Sequence, residues 1–168
     1  LDTIITAFEK LDTKYLINAQ LNIIGDGSHL NKLKEKVKTH KYENTIFWGK
    51  QPREEMGRFF NASDYLIVSL INKPIFSLTV PAKVQTYIAM KKPILAFING
   101  DTKNIIMKNN LGYHAPPDNL ESIKNTFIQA ILSRDNDQKQ ISENCERLTK
   151  TTFNKNTIIN QLLNLLKE

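Results

Sequence analysis

Cysteine is almost absent from this chain: Cys145 is the only one in 168 residues. That excludes an internal disulfide framework and a cysteine zinc site. Cys145 lies in a helical stretch and reads as a small hydrophobe or a surface thiol rather than a nucleophile. A reducing compartment, the cytosol, suits such a chain. Long apolar runs are also absent, and none reaches the roughly 20 residues of a bilayer-spanning helix. There is no signal peptide and no lipidation motif. No G-x-S-x-G elbow and no Walker lysine is found. His29, His40 and His114 lack metal-ligand spacing, so each reads as structural or surface. An initiator Met is missing too. The chain opens at Leu1 in a helical pattern, which predicts a domain cut from a longer protein.

What is present begins with charge. Lysine and arginine outnumber aspartate and glutamate, for a net charge of +6. Such a balance favours acidic partners: nucleotides, nucleic acid or anionic lipid. The charge is scattered, however. "NKLKEKVKTHK" places its lysines on the solvated face of an amphipathic helix. No aromatic and basic platform for single strands stands out, so nucleic acid is the weaker reading.

The length fits one domain with a sizeable core. Along the chain, "DTIITAFEKL" carries Ile4, Ile5, Phe8 and Leu11 at helical spacing. "QLNIIGDG" is a short apolar strand stopped by glycines, and Ser28 is expected to cap the next helix, with Leu30, Leu33 and Val37 inward. "TIFWG" is a strand ended by Gly49. Pro52 opens a helix over "PREEMGRFFNAS", whose acidic first turn suits an N-terminus. "DYLIVSL" is a strand and "INKPIFSLT" a loop. Pro81 opens the helix "AKVQTYIAM", followed by the strand "KPILAFI". "TKNIIMKNN" is a short helix and "GYHAPP" a short strand. Asp118 is expected to cap "NLESIKNTFIQAIL", and two further helices, "DQKQISENCERLTKT" and "KNTIINQLLNLLKE", to finish the chain. Short apolar strands alternating with helices predict an α/β domain: a Rossmann-like parallel sheet with helices on both faces.

In such sheets ligands bind beyond the carboxyl ends of the strands. After the first strand come Gly25, Asp26, Gly27 and Ser28, and after the second Gly49, Lys50 and Gln51. After the third comes the loop from Ser69 to Thr79, leading to Lys83. After the fourth come Asn99, Gly100 and Asp101. Lys83 is the odd residue, because it sits in the first turn of a helix, whose N-terminus is already electropositive. Glycines let backbone approach a ligand, and helix N-termini present N–H groups to anions. The constellation suits a phosphorylated ligand such as a diphosphate. Each residue also has a plainer reading: a capped tight turn at Gly25–Ser28, a solvated Lys50, a snorkelling Lys83.

The ordered set "LNIIGDGSHLNKLKEKV", "NTIFWGKQPREEMGRFFNASDYLIVSL", "VPAKVQTYIAMKKPILAFINGD" and "LGYHAPPDNLESI" resembles the C-terminal domain of a family 4 glycosyltransferase of the GT-B fold. "VPAKVQTYIAMKKPIL" is similar to the Pro-Ser-Lys…Tyr-x-Ala…Lys-Pro segment of a bacterial subgroup. Many members of that subgroup are assigned to N-acetylated sugar transfer in O-antigen or capsule assembly. The resemblance implies that residues 1–168 form one nucleotide-sugar-binding domain of a two-domain, retaining, metal-independent enzyme. UDP is the expected base carrier, and catalytic residues stay unassigned. Gly25, Asp26 and Gly27 would line the donor cleft, the backbone around Gly49, Lys50 and Gln51 would meet the base, and Lys83, Val84 and Thr86 would complete donor binding.

The same resemblance predicts an acceptor-binding N-terminal domain as partner, toward which the helices of residues 135–168 would reach. It further predicts a lipid-linked acceptor at the inner membrane face and a cytoplasmic location, with no cofactor and no nucleic acid. The family's first strand is expected to be missing from the chain. In the order 3-2-1-4-5-6 that strand is central, so its loss would leave two unpaired edges and an inactive fragment that is distorted, self-associated or completed by another segment.

Three residues depart from the family pattern. Thr86 stands where many relatives carry the second of two glutamates, with Leu78 near the first. Ala82 replaces the subgroup's serine, and Lys91 replaces the usual glycine. A non-catalytic nucleotide-sugar-binding or regulatory module therefore stays open as a second reading. A receiver- or flavodoxin-like domain ranks lower, since Asp26 and Asp101 are isolated. A related GT-B epimerase would show a different carboxylate and histidine pattern.

Overall fold

The computed structural model describes residues 1–71 and 79–154, with positions 157, 159, 163 and 164. Helix α1 (Asp2–Glu9) and a short α2 (Thr13–Leu16) lead to strand β1 (Leu21–Ile24), α3 (Leu30–Thr39) and β2 (Thr45–Gly49). A 3-10 turn (Arg53–Glu55) runs into α4 (Met56–Ala62), then β3 (Leu66–Ser69), α5 (Ala82–Ala89) and β4 (Ile94–Phe97). The chain continues through α6 (Asp101–Lys108), β5 (Gly112–His114) and α7 (Leu120–Lys150).

All strand pairs are parallel, as short apolar strands between helices require. They form two groups: β1 with β2, and β3-β4-β5 in that order. Among the described residues no ladder joins β1 to β3, so the sheet is not continuous. The α/β class with helices on both faces is the one read from the sequence.

Two apolar clusters show how the layers are built. One gathers Ile4, Ile5 and Phe8 of α1, Leu21 of β1, Leu33 of α3, Leu95 and Phe97 of β4, and Ile123 and Phe127 of α7. The other, on the opposite face, gathers Leu66, Val68, Ile94 and Ala96 with Val84 and Ile88 of α5, Ile106 of α6, and Ile141, Cys145 and Leu148 of α7. The period-two alternation of the strands sends successive residues to the two clusters.

Helix α7 serves both clusters, and here the structure differs from expectation. Two helices were expected across this stretch; one continuous helix of 31 residues forms, about 46 Å long at 1.5 Å per residue. The intervening "SRDN" holds no glycine or proline to stop it. Its polar middle is fastened to the strands: the Tyr113 hydroxyl donates to Asp137, and Gln138 Nε2 donates to the Asp64 carbonyl at 2.8 Å. The last expected helix, "KNTIINQLLNLLKE", lies largely outside the described residues, as do Leu78 and most of the loop after β3. No described helix is long and apolar enough to cross a membrane.

The caps also moved. Ser28 does not cap α3; His29 holds the cap position without a side-chain bond, and Ser28 Oγ meets His29 Nδ1 at 3.1 Å. Asn119, not Asp118, caps α7, its Oδ1 accepting from the Ser122 N–H at 2.9 Å. Both shifts are by one residue, within the usual play of helix ends.

Candidate functional site

Every strand runs the same way, so the turns after β1, β2 and β4 and the start of α5 share one edge of the molecule. Two of these turns are locked together. The Gly25 N–H donates to the Gly49 carbonyl at 2.8 Å. Both residues have positive φ, +133° and +67°, conformations that favour glycine. A Cβ at Gly25, Gly27 or Gly49 would meet nothing within 4 Å, so the space beside this backbone is open. Above the turns, Lys50 Nζ stands 3.9 Å from Asp26 Oδ2. Both side chains are exposed, so the pair is weak and its lysine can exchange this carboxylate for another anion. Gln51 Nε2 donates back to the Trp48 carbonyl at 2.7 Å, which shapes the turn after β2.

On the other half of the edge, Pro81 stands at the N-cap of α5 with Ala82 and Lys83 in the first turn. Lys83 is exposed. Its neighbour Val84 is fully buried in the second cluster, and the Val84 N–H donates to the Pro81 carbonyl at 2.9 Å. The Val84 side chain therefore packs the core rather than facing the edge. Thr86 is exposed, and its Oγ1 donates to the Ala82 carbonyl at 3.3 Å, a bond within its own helix.

Some parts of this edge have no sequence signature. A cleft of about 480 Å³ opens between Leu1, Thr3 and Ile4 at the head of α1, Ser69, Leu70 and Ile71 after β3, and Pro117 and Asp118 before α7. It joins three loops remote in sequence. Thr102, wholly buried, donates its hydroxyl to the Thr79 carbonyl at 2.9 Å and so pins the approach to Lys83 against α6. His114 bonds the Ile98 carbonyl through Nε2 at 2.9 Å. Burial, aided by Lys103, lowers its pKa, while the bond to Ile98 opposes that shift. The imidazole is therefore a neutral fastener of the strand end, in keeping with its reading as structural. A second concavity, along Glu143, Glu146 and Arg147 of α7, is remote from the strand ends. Among the described residues no group of His, Cys, Asp and Glu side chains is placed to hold a metal ion.

This edge can hold an elongated anion against backbone N–H groups with lysines to either side. Residues 1–148 match the family described as glycosyl transferases group 1. The chain belongs to that family. No curated protein matches the chain at significant similarity. Among solved structures, Anabaena HepE in complex with UDP is similar at a TM-score of 0.77 and 16% identity, covering 98% of this chain and 44% of that one. A glycosyltransferase from Rickettsia africae ESF-5 is similar at a TM-score of 0.76 and 22% identity, covering 98% and 43%. A mutant of S. aureus TarM in complex with fondaparinux, alpha-GlcNAc-glycerol and UDP is similar at 0.76 and 18%, covering 99% and 32%. The group 1 domain described here thus has the fold of part of GT-B glycosyltransferases, and it spans less than half the length of these structures.

Proposed function

We propose that this chain is the donor-binding half of a family 4 glycosyltransferase that transfers a sugar from a UDP-sugar with retention. The observation that carries the reading is the placement of an exposed lysine in the first turn of α5, at the same edge as the open glycine turns and Lys50. Lys83 would face the donor diphosphate together with N–H groups of its helix. As the bond between the sugar and the diphosphate breaks, negative charge grows on the leaving nucleotide. Fixed positive groups at that point stabilise the transition state more than the ground state. The turn of Gly49, Lys50 and Gln51 would meet the base, and Gly25 and Gly27 would line the cleft near the phosphates. The complex of HepE with UDP supports the choice of base.

The segment "VPAKVQTYIAMKKPIL" supports the subgroup that transfers N-acetylated sugars in O-antigen or capsule assembly. The acceptor is then a lipid-linked sugar, held by a second domain at the inner membrane face. A net charge of +6 would draw the protein to such an anionic surface. The donor needs no metal ion in this scheme, and the 168-residue chain alone is inactive.

Calorimetric titration with UDP, GDP and ADP tests this, on the chain and on a version extended upstream of Leu1. UDP binding weakened about 10- to 100-fold by Lys83→Ala is expected, the weight of one charge-assisted contact. Absence of binding by a folded extended chain to all three nucleotides would reject the donor site.

Thr86 favours a second reading. It offers no carboxylate for ribose or sugar, and its hydroxyl bonds within the helix. A non-catalytic nucleotide-sugar-binding module would bind UDP with the same Lys83 dependence but show no transfer in the full-length protein.

A further inference from the structure

The seam between β1 and β3 has a definite pattern of donors and acceptors. In a parallel ladder, successive residues of one strand bond alternately to the neighbours on its two sides. The Leu21 N–H donates to the Asn44 carbonyl and the Gly25 N–H to the Gly49 carbonyl. Leu21, Ile23 and Gly25 therefore face β2. Asn22 and Ile24 turn their backbone groups the other way. The Leu66 N–H donates to the Pro93 carbonyl, so Leu66 and Val68 face β4. Ile67 and Ser69 face the opposite side. Among the described residues no strand pairs with either outward set. The Ile67 carbonyl accepts instead from the Tyr87 hydroxyl at 3.4 Å, at the outer limit for such a bond.

Both open edges border one core. Leu21 of β1 shares a cluster with Leu95 and Phe97 of β4, and Ile23 and Ile67 pack against it from either side of the seam. A strand placed between them meets helices on both faces and neighbours on both edges, which calls for a continuous apolar run like Ile94–Phe97. Its direction is also determined. Parallel to β1 and β3, it ends at the carboxyl edge, where Leu1 and Thr3 line the same cleft as Ser69 and Ile71. There a short turn leads into α1.

We propose that the seam between β1 and β3 accepts one further parallel strand, of continuous apolar sequence, which runs into α1 at Leu1. The completed order is β2, β1, the added strand, β3, β4, β5. The similar structures carry more than half of their own length outside the match, chain enough to include such a strand. The inference uses no nucleotide and stands apart from the donor reading.

Amide hydrogen exchange followed residue by residue by NMR tests it. Two monomeric samples are compared: the 168-residue chain, and the same chain extended at Leu1 by a short turn preceded by a copy of its own β4 sequence, Ile-Leu-Ala-Phe. In the unextended chain the amides of Asn22, Ile24, Ile67 and Ser69 should exchange about 100-fold faster than those of Ile23 and Val68. In the extended chain those four should slow by about 100-fold, while an extension of alternating serine and lysine should leave them fast. Leu95 and Ala96, in β4, report folding in each sample. If the extension impairs folding, the same strand supplied as a free peptide is read at the same four amides. Slow exchange at all four in the unextended monomer would overturn the proposal, since β1 and β3 would already close the seam. Protection that grows with protein concentration would make a second copy the occupant and overturn the proposed origin of the strand. Four fast amides in a folded, extended monomer would overturn it outright.

Discussion

Strands β1 and β4 have the same length, and both read as apolar, yet they live differently. In β4, Ile94, Ala96 and Phe97 are completely inaccessible and Leu95 nearly so. In β1 only Leu21 is buried, and Asn22 is exposed beside Trp48, whose Nε1 donates to its side chain at 2.7 Å. β4 has a strand on each side and helices on both faces; β1 has one neighbour. Apolar sequence makes a strand fit for burial. Neighbours decide whether burial happens.

The largest test of that contrast is truncation in each strand. Phe97 packs its ring 5.4 Å from that of Phe127, and Phe97→Ala should cost about 3–5 kcal/mol. Ile24→Ala, on the open strand, should cost about 1 kcal/mol, because its side chain is only half-buried. Denaturant unfolding measures both. Equal losses would erase the distinction between the two strands.

The helix starts offer a smaller comparison. Asn119→Ala removes the bond to the Ser122 N–H and should cost about 1 kcal/mol. Ser28→Ala, at a helix without a side-chain cap, should stay within about 0.5 kcal/mol. Thermal melts of the two variants would separate them.

Acid distinguishes the strand end from the surface of α7. His114 is kept neutral by burial, so its pKa in the folded chain lies below the ordinary 6.5. The unfolded chain then binds more protons just below 6.5. Stability from this group is complete above that pH and falls as pH drops toward the folded pKa. His114→Gln should flatten this part of the pH–stability curve. Glu146, held down to about 2 by bonds from Lys150 and then Lys91, acts lower. Its contribution is present above the ordinary 4.5 and is lost as pH falls toward about 2. Being exposed, it should also fade in high salt, whereas the His114 effect should not.

The smallest expected signal is at Cys145. Burial pushes its thiol up to about 11, against a weak opposite pull from Lys91. A thiol reagent near pH 8 should react only as the helix opens, at a rate that tracks unfolding. Fast labelling of the native chain would mean that α7 is not packed as the second cluster shows.

Legibility followed the range of the interactions. Helix α1 was readable because Ile4, Ile5 and Phe8 repeat at the helical period, and all are buried. β4 was readable as a continuous apolar run. The glycines at the turns after β1 and β2 were readable as points of backbone approach, and two of them take positive φ. The length of α7 was not, because a polar middle without a breaker looks like a loop until Asp64 and Tyr113 are seen holding it. Nor was the burial of Val84 beside the exposed Lys83, although a helix necessarily sends adjacent residues to different faces.

The sequence by itself determined the class of fold, the order of its elements and the residue types gathered at the strand ends, because periodicity and turn chemistry act over a few residues. Only the tertiary structure decided that Lys50 meets Asp26, that Leu1 and Ser69 share a cleft, and that β1 and β3 leave a seam between them. Those facts depend on which distant segments lie side by side. Pairing of that kind is settled by burial across the whole core, to which no short stretch of sequence has access.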